Sequence, residues 1–264
     1  MKCGQILEVI QKLAPVSYAC GWDNVGLLVG DADQEVSHIT VALDADDKAI
    51  DAAIANGSQL LVTHHPLIFS PVKRITNETL LGRRLLKLLS HGICVISMHT
   101  NFDIAPGCMG DLAADRLGLK ETKPLEVTGE GDNGAYGIGV VGTVEEGPWS
   151  LEQLCQKVKE AFSLEGVQLY APESMDQVTC IAMCPGSGKD EIGHALEAGA
   201  QVLITGDMTY HYATDAVAEG LAIVDAGHYG LEHIFIPTMA SYLQTQLSDV
   251  QVDMVQIQPP VRIL

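Results

Sequence analysis

Residues 41–63 read VALDADDKAIDAAIANGSQLLVT, and residues 183–205 read MCPGSGKDEIGHALEAGAQVLIT. Laid over one another without a gap, they coincide at Ile50 and Ile192, Ala53 and Ala195, Gly57 and Gly199, Gln59 and Gln201, Leu61 and Leu203, and Thr63 and Thr205. Each stretch predicts a strand, a helix, a glycine at the helix C-terminus and a second strand. A further strand follows in each half, HGICVISMHTN at 91–101 and EGLAIVDAGHY at 219–229. Both of these begin after a glycine and deliver a histidine just past the strand's C-terminal end. Such self-similarity is the mark of a duplicated unit.

Working outward, short apolar runs alternate with helical periodicity along the chain. Further strands are expected near Ile39–Leu43, Tyr136–Val141 and Val250–Ile257, and further helices near Ile6–Leu13, Glu78–His91, Met109–Leu117, Leu151–Ala161, Tyr212–Glu219 and Leu231–Gln246. The fold class is α/β: two related α/β domains with mostly parallel sheets, the first over 1–126 and the second over 127–264. The boundary is expected within Lys120–Asn133, where charge, Gly and Pro replace periodicity, as a connection that can carry one short edge strand. The C-terminal segment is expected to pack back on the first half.

Composition narrows the partners. The 264 residues carry a formal net charge of −19 and 47% hydrophobic residues. That balance supports a sizeable aliphatic core. It argues against general nucleic-acid binding, which needs basic surface, and against docking on anionic membranes. No apolar run is long enough to span a bilayer, and the N-terminal MKCGQILEVIQKLAP reads as an amphipathic helix rather than a signal peptide. Seven cysteines without a C-x-x-C pair read as reduced structural thiols of a cytoplasmic protein.

In open parallel sheets, ligands collect at the carboxyl ends of strands. LLVT runs into His64-His65-Pro66, VISM into His99-Thr100-Asn101-Phe102-Asp103, VLIT into Gly206-Asp207, and AIVDAG into His228, with Glu232 four residues on. Imidazoles and carboxylates hold borderline and hard divalent ions. Adjacent residues leaving a strand point apart, so His64 and His65 suit two neighbouring ions. His228 and Glu232 share a face if a helix starts there. Glu232 is the candidate bridge and Asp103 completes one ion's shell. The expected centre is therefore a pair of divalent ions (Zn, Mn, Fe, Co or Ni) on His64, His65, Asp103, His228 and Glu232, between the two halves. Two turns are more ambiguous. Pro185–Glu191 is Gly-rich and suits either a phosphate or a tight bend; Trp22-Asp23-Asn24 suits either a site lining or a structural turn.

WDNVGLLVG at 22–30, LLVTHHPLIF at 60–69, SMHTNFDIAPGCMGDLAADRLGL at 97–119, GSGKDEI at 186–192, ITGDMTYH at 204–211 and DAGHYGLE at 225–232 resemble the NIF-three-like family. That family is also described as GTP cyclohydrolase 1 type 2 or dinuclear-metal-centre hexameric proteins. The resemblance implies two α/β domains per subunit, a homohexameric ring and a two-metal site on the same five residues. It also implies a supporting or catalytic role for His99. The activity it implies is metal-dependent hydrolysis that opens the imidazole ring of a purine nucleotide, with Glu232 and His99 in the chemistry. A non-catalytic metal-binding scaffold, chaperone or adaptor ring is the alternative. Only Lys73, Arg74 and Lys189 offer positive charge for a nucleotide's phosphates.

Overall fold

The computed structural model describes residues 1–132 and 134–255. The chain divides into two compact units, Met1–Phe102 with the segment that begins at Phe235, and Asp103–Ile234.

The first unit is built on a five-stranded sheet in the order β1-β4-β3-β2-β13. Its strands are β1 (Gly26–Val29), β2 (His38–Ala42), β3 (Leu60–Thr63), β4 (Cys94–Ser97) and β13 (Gln251–Met254). All neighbours are parallel except β1 against β4. β3 and β4 are buried along their whole length, so they read as unbroken apolar runs ending in a hydroxyl. Around them lie α1 (Cys3–Leu13), α2 (Asp47–Asn56), α3 (Leu80–Ser90) and α10 (Phe235–Gln246). Local chemistry sets the helix limits. Asp46 caps α2 by accepting from the Ala49 amide, and Gly57 ends it at φ 69°.

The second unit contains a six-stranded sheet in the order β5-β6-β10-β11-β12-β8. Its strands are β5 (Lys120–Gly131), β6 (Gly134–Thr143), β8 (Gln168–Tyr170), β10 (Cys180–Ser187), β11 (Val202–Gly206) and β12 (Ala222–Asp225). β10, β11 and β12 are parallel, and antiparallel strands flank them on both sides. A small ribbon pairs β7 (Trp149–Ser150) with β9 (Gln177–Val178). The unit's helices are α5 (Met109–Leu117), α6 (Leu151–Phe162), α7 (Ile192–Glu197), α8 (Tyr210–Ala218) and α9 (His228–Glu232). The short α4 (Thr100–Ile104) holds the first boundary between the units.

The duplication is visible residue by residue. β2 and β3 pair Ile39 with Leu60 and Val41 with Val62; β10 and β11 pair Ile181 with Val202 and Met183 with Ile204. The coincident glutamines do the same work in each unit. Gln59 Oε1 accepts from the amides of Ser37 and His38 at 2.9 and 3.1 Å. Gln201 Oε1 accepts from the amides of Thr179 and Cys180 at 2.8 and 3.2 Å.

Three expectations need correction. The edge strand expected within this segment is not short: β5 fills residues 120–131 at the edge of its sheet, in a hairpin with β6, so a division at 126 would cut through a strand. Only Leu125 of β5 is buried, and a strand exposed on both faces has no hydrophobic period to read. The chain crosses between units at Phe102/Asp103 and again at Ile234/Phe235, which replaces the division at 126/127; the segment from Phe235 groups with the first unit, the half on which the C-terminal segment was expected to pack. Third, the single helix expected over Leu231–Gln246 is two, α9 and α10. Pro237 lies in the first turn of α10, where its missing N–H has no intrahelical partner to lose. The strand expected over Val250–Ile257 is found over Gln251–Met254, and residues 256 and 257 lie outside the described residues.

Because each glutamine satisfies two amides at once, Gln59→Leu and Gln201→Leu should each lower stability by about 1–2 kcal/mol. Urea denaturation measures this, and an unchanged midpoint in both variants would remove the clamp from the account.

Candidate metal centre

Each unit gathers histidines or carboxylates at the ends of its parallel strands. In the first unit, His64 and His65 leave β3 and His99 follows β4. Their ring nitrogens come within 4.8 Å of one another. His64 is fully buried, with its ring 5.2 Å from that of Phe235 and 6.2 Å from that of Phe102.

What orients these rings is one repeated hydrogen bond. His64 Nδ1 lies 2.7 Å from the Met98 carbonyl oxygen, His65 Nδ1 2.8 Å from Asp44 Oδ1, and His99 Nδ1 2.9 Å from Asp23 Oδ1. Carbonyls and carboxylates only accept, so in all three Nδ1 carries a proton and any coordination falls to Nε2. Metal-binding histidines are held in this way. Asp23 is bound further by the Thr100 amide at 3.0 Å and the Thr100 hydroxyl at 2.6 Å. Burial acts to raise the Asp23 carboxyl, but the bonds from His99 and Thr100 outweigh it and hold the group down at about 2.

In the second unit, His228 opens α9 and Glu232 closes it. His228 Nδ1 lies 2.9 Å from Asp207 Oδ2, and Nε2 lies 3.0 Å from Glu232 Oε2. A cation seated between Nε2 and Glu232 would take the place of a proton there. Asp103 and Glu232 bring carboxylate oxygens within 4.8 Å of one another, and a divalent ion offsets the repulsion of such a pair. The Cys184 thiol is pushed far up by burial and then by Glu191, Asp103 and Glu232. It belongs to none of the candidate ligand groups among the described residues. The donor set is thus nitrogen and oxygen throughout, as borderline divalent ions prefer.

Space around Glu232 is reserved by glycine. A Cβ on Gly186 would come 2.5 Å from Glu232 Oε1, and the residue has φ +83°. A Cβ on Gly206 would stand 2.4 Å from the His228 amide nitrogen. The Gly-rich turn therefore serves the carboxylate. The amide of Gly188 is already committed to Thr205 Oγ1 at 2.8 Å. Asp207, the orienting partner of His228, sits at φ +53°, a conformation that Asp tolerates better than most residues. Asp225 accepts from the amides of Met208 and Gly227 and so shapes the loops on both sides.

All six residues singled out in the sequence lie in these two sets: His64, His65 and His99 in the first unit, Asp103, His228 and Glu232 in the second. Of the orienting carboxylates, the sequence pointed to Asp207 only as a strand-end residue and to Asp44 not at all. Both lie at strand ends, as the histidines do, and that position was the available signal. His194, partly exposed on α7, forms a further His/carboxylate group with Glu126 and Glu191. Burial raises the Glu191 carboxyl, against the bond from His194.

Fold and site together define a two-unit α/β protein with candidate metal-binding histidine and carboxylate sets. The chain belongs to the Duf34/NIF3 (NGG1p interacting factor 3) family, whose model matches residues 1–260. A protein of Clostridium acetobutylicum named "GTP cyclohydrolase 1 type 2 homolog" is 34% identical over 247 residues, covering 94% of this chain and 91% of its own. Among solved structures, reduced HcgD from Methanocaldococcus jannaschii superposes with a TM-score of 0.83 at 30% identity, covering 97% of this chain and 98% of its own. A Bacillus cereus protein related to NIF3 superposes with a TM-score of 0.93 at 24% identity, covering 100% and 99%. Among the described residues, no helix is long and apolar enough to cross a membrane.

Two outcomes are expected. Gly186→Ala should displace the Glu232 carboxylate and weaken binding of divalent metal by about tenfold or more, read by titration calorimetry. The Asp23 carboxyl lies below its ordinary value of 3.8, so it stabilises the fold above that pH and the contribution fades as pH falls through about 2. Wild type should thus exceed Asp23→Asn by up to about 2 kcal/mol above pH 4, with the gap closing towards pH 2. A gap independent of pH would contradict the assignment.

Proposed function

We propose that His64, His65, Asp103, His228 and Glu232 together hold two divalent cations, and that the protein is a metal-dependent hydrolase of the GTP cyclohydrolase 1 type 2 kind. The observation that carries this reading is the set of Nδ1 hydrogen bonds. Four imidazoles are each anchored through Nδ1 to an oxygen acceptor, which assigns coordination to Nε2; that of His228 faces Glu232 Oε2 at 3.0 Å, where a cation would take the place of the proton between them. The names of the relatives supply the substrate class, a purine nucleotide.

Cations held there would supply Lewis acidity and activate water for attack on an electrophilic ring carbon. The chain's own residues supply the rest. His64 and His65, side by side at the end of β3, bind through Nε2, as does His228. Glu232 and Asp103 would supply the carboxylate ligands. His99 keeps a proton on Nδ1 against Asp23 and offers Nε2 as a proton acceptor. Hydrolysis of the purine imidazole ring at C8 would open that ring and release formate. A homohexamer is the proposed assembly.

Elemental analysis of protein purified without chelator should find about two ions per subunit, with fewer in His64→Ala. Glu232→Gln should lose formate release from GTP by a hundredfold or more, about 2.7 kcal/mol, with the fold kept by circular dichroism. Two ions with no turnover would remove the hydrolase and leave the binding site. No ion after reloading would remove both.

A further inference from the structure

We infer that Trp22 and Phe69 form a stacking platform for a planar heteroaromatic ring, the purine base, beside the His64, His65 and His99 set. This rests on the proposed nucleotide hydrolase reading and adds to it the part of the substrate that the protein grips.

The backbone that carries Trp22 is heavily pinned. The Asp23 amide donates to the Cys20 carbonyl at 2.9 Å and the Cys20 amide to Thr100 Oγ1 at 2.9 Å. The Asp23 carboxylate receives His99 and Thr100. Asn24 Nδ2 reaches across to the Ile68 carbonyl at 2.6 Å, tying this turn to the loop of Phe69. With so fixed a frame, both rings could have been buried. Instead Trp22 is 63% exposed and Phe69 53% exposed. The other tryptophan, Trp149, is 8% exposed and covered by Lys157. Leaving a large aromatic ring in water has no folding benefit, because its apolar area stays wet.

The placement relates this exposure to the site. Trp22 and Phe69 have ring centroids 6.0 Å apart, inclined at 48°. Trp22 stands edge-on to His99 at 6.2 Å, and His99 lies 5.4 Å from His64 and 5.7 Å from His65. The platform is thus one ring removed from the imidazoles that present Nε2. A flat π-system laid on it would sit beside the proton acceptor His99. Aromatic faces suit such a ligand because every base has a π-face. An aliphatic substrate would gain little from two inclined rings, and a triphosphate nothing. The rigid turn also means that little ordering entropy is spent on binding.

The test uses metal-loaded protein. In a Trp149→Phe background, Trp22 is the sole tryptophan reporter, titrated with GTP, guanosine and tripolyphosphate. Saturable quenching by GTP and guanosine, with none by tripolyphosphate, is expected. In the wild-type background, Trp22→Ala should weaken GTP binding or raise KM about tenfold, with kcat, metal content and oligomeric state kept, and Trp22→Tyr should restore most of it. Unchanged KM and affinity in Trp22→Ala would overturn the platform while leaving the hydrolase intact. So would loss of assembly in Trp22→Ala without loss of GTP affinity, which would make this surface a subunit contact. Guanosine quenching without formate release would keep the platform and remove the hydrolase. No purine binding at all would overturn the platform, with the ion count deciding separately about the metals.

Discussion

A parallel strand buried on both faces has no room for a polar side chain along its length, and every backbone group in it must be paired within the sheet. β3 and β4 in one unit and β11 and β12 in the other carry polar side chains only at their carboxyl ends, Thr63, Ser97, Thr205 and Asp225. Chemistry can therefore begin only where these strands end. Histidines and carboxylates cluster at the carboxyl ends because that is where the chain first leaves the apolar layers and can turn a polar group inward.

The two units use one scaffold to different chemical ends. The sheet registers and the glutamine clamps coincide, yet the residue after β3 that is anchored is His65, by Asp44, whereas the matching residue after β11 is Asp207, which anchors His228. Donor and acceptor have exchanged places across the duplication. Where Asp44 stands in the first unit, the second has Gly186, and the space so left is taken up beside Glu232. A duplicated frame with diverged strand ends presents nitrogen-rich donors in one copy and oxygen-rich donors in the other.

The anchoring carboxylates also tie the site to the stability of the fold. Asp23 joins the turn before β1 to the start of α4 and orients His99 in the same act. The same turn exposes Trp22. Stability, ring orientation and the proposed grip on a base thus converge on three consecutive residues, Trp22, Asp23 and Asn24.

Much of this was legible in the residues alone. The gapless match of 41–63 with 183–205 determined the repeated βαβ unit, and unbroken apolar runs ending in His or Asp determined the strand ends and all six candidate residues. These signals are local, since burial on both faces writes itself into consecutive side chains. The strand β5 left no such trace because both its faces are largely exposed. The orienting role of Asp44 and Asp207, the space kept by Gly186 and the division of the chain at Phe102 and Ile234 depend on which strand lies beside which. A hydrogen bond between residues twenty or more positions apart is decided by sheet order and register, and those exist only once the tertiary structure has formed.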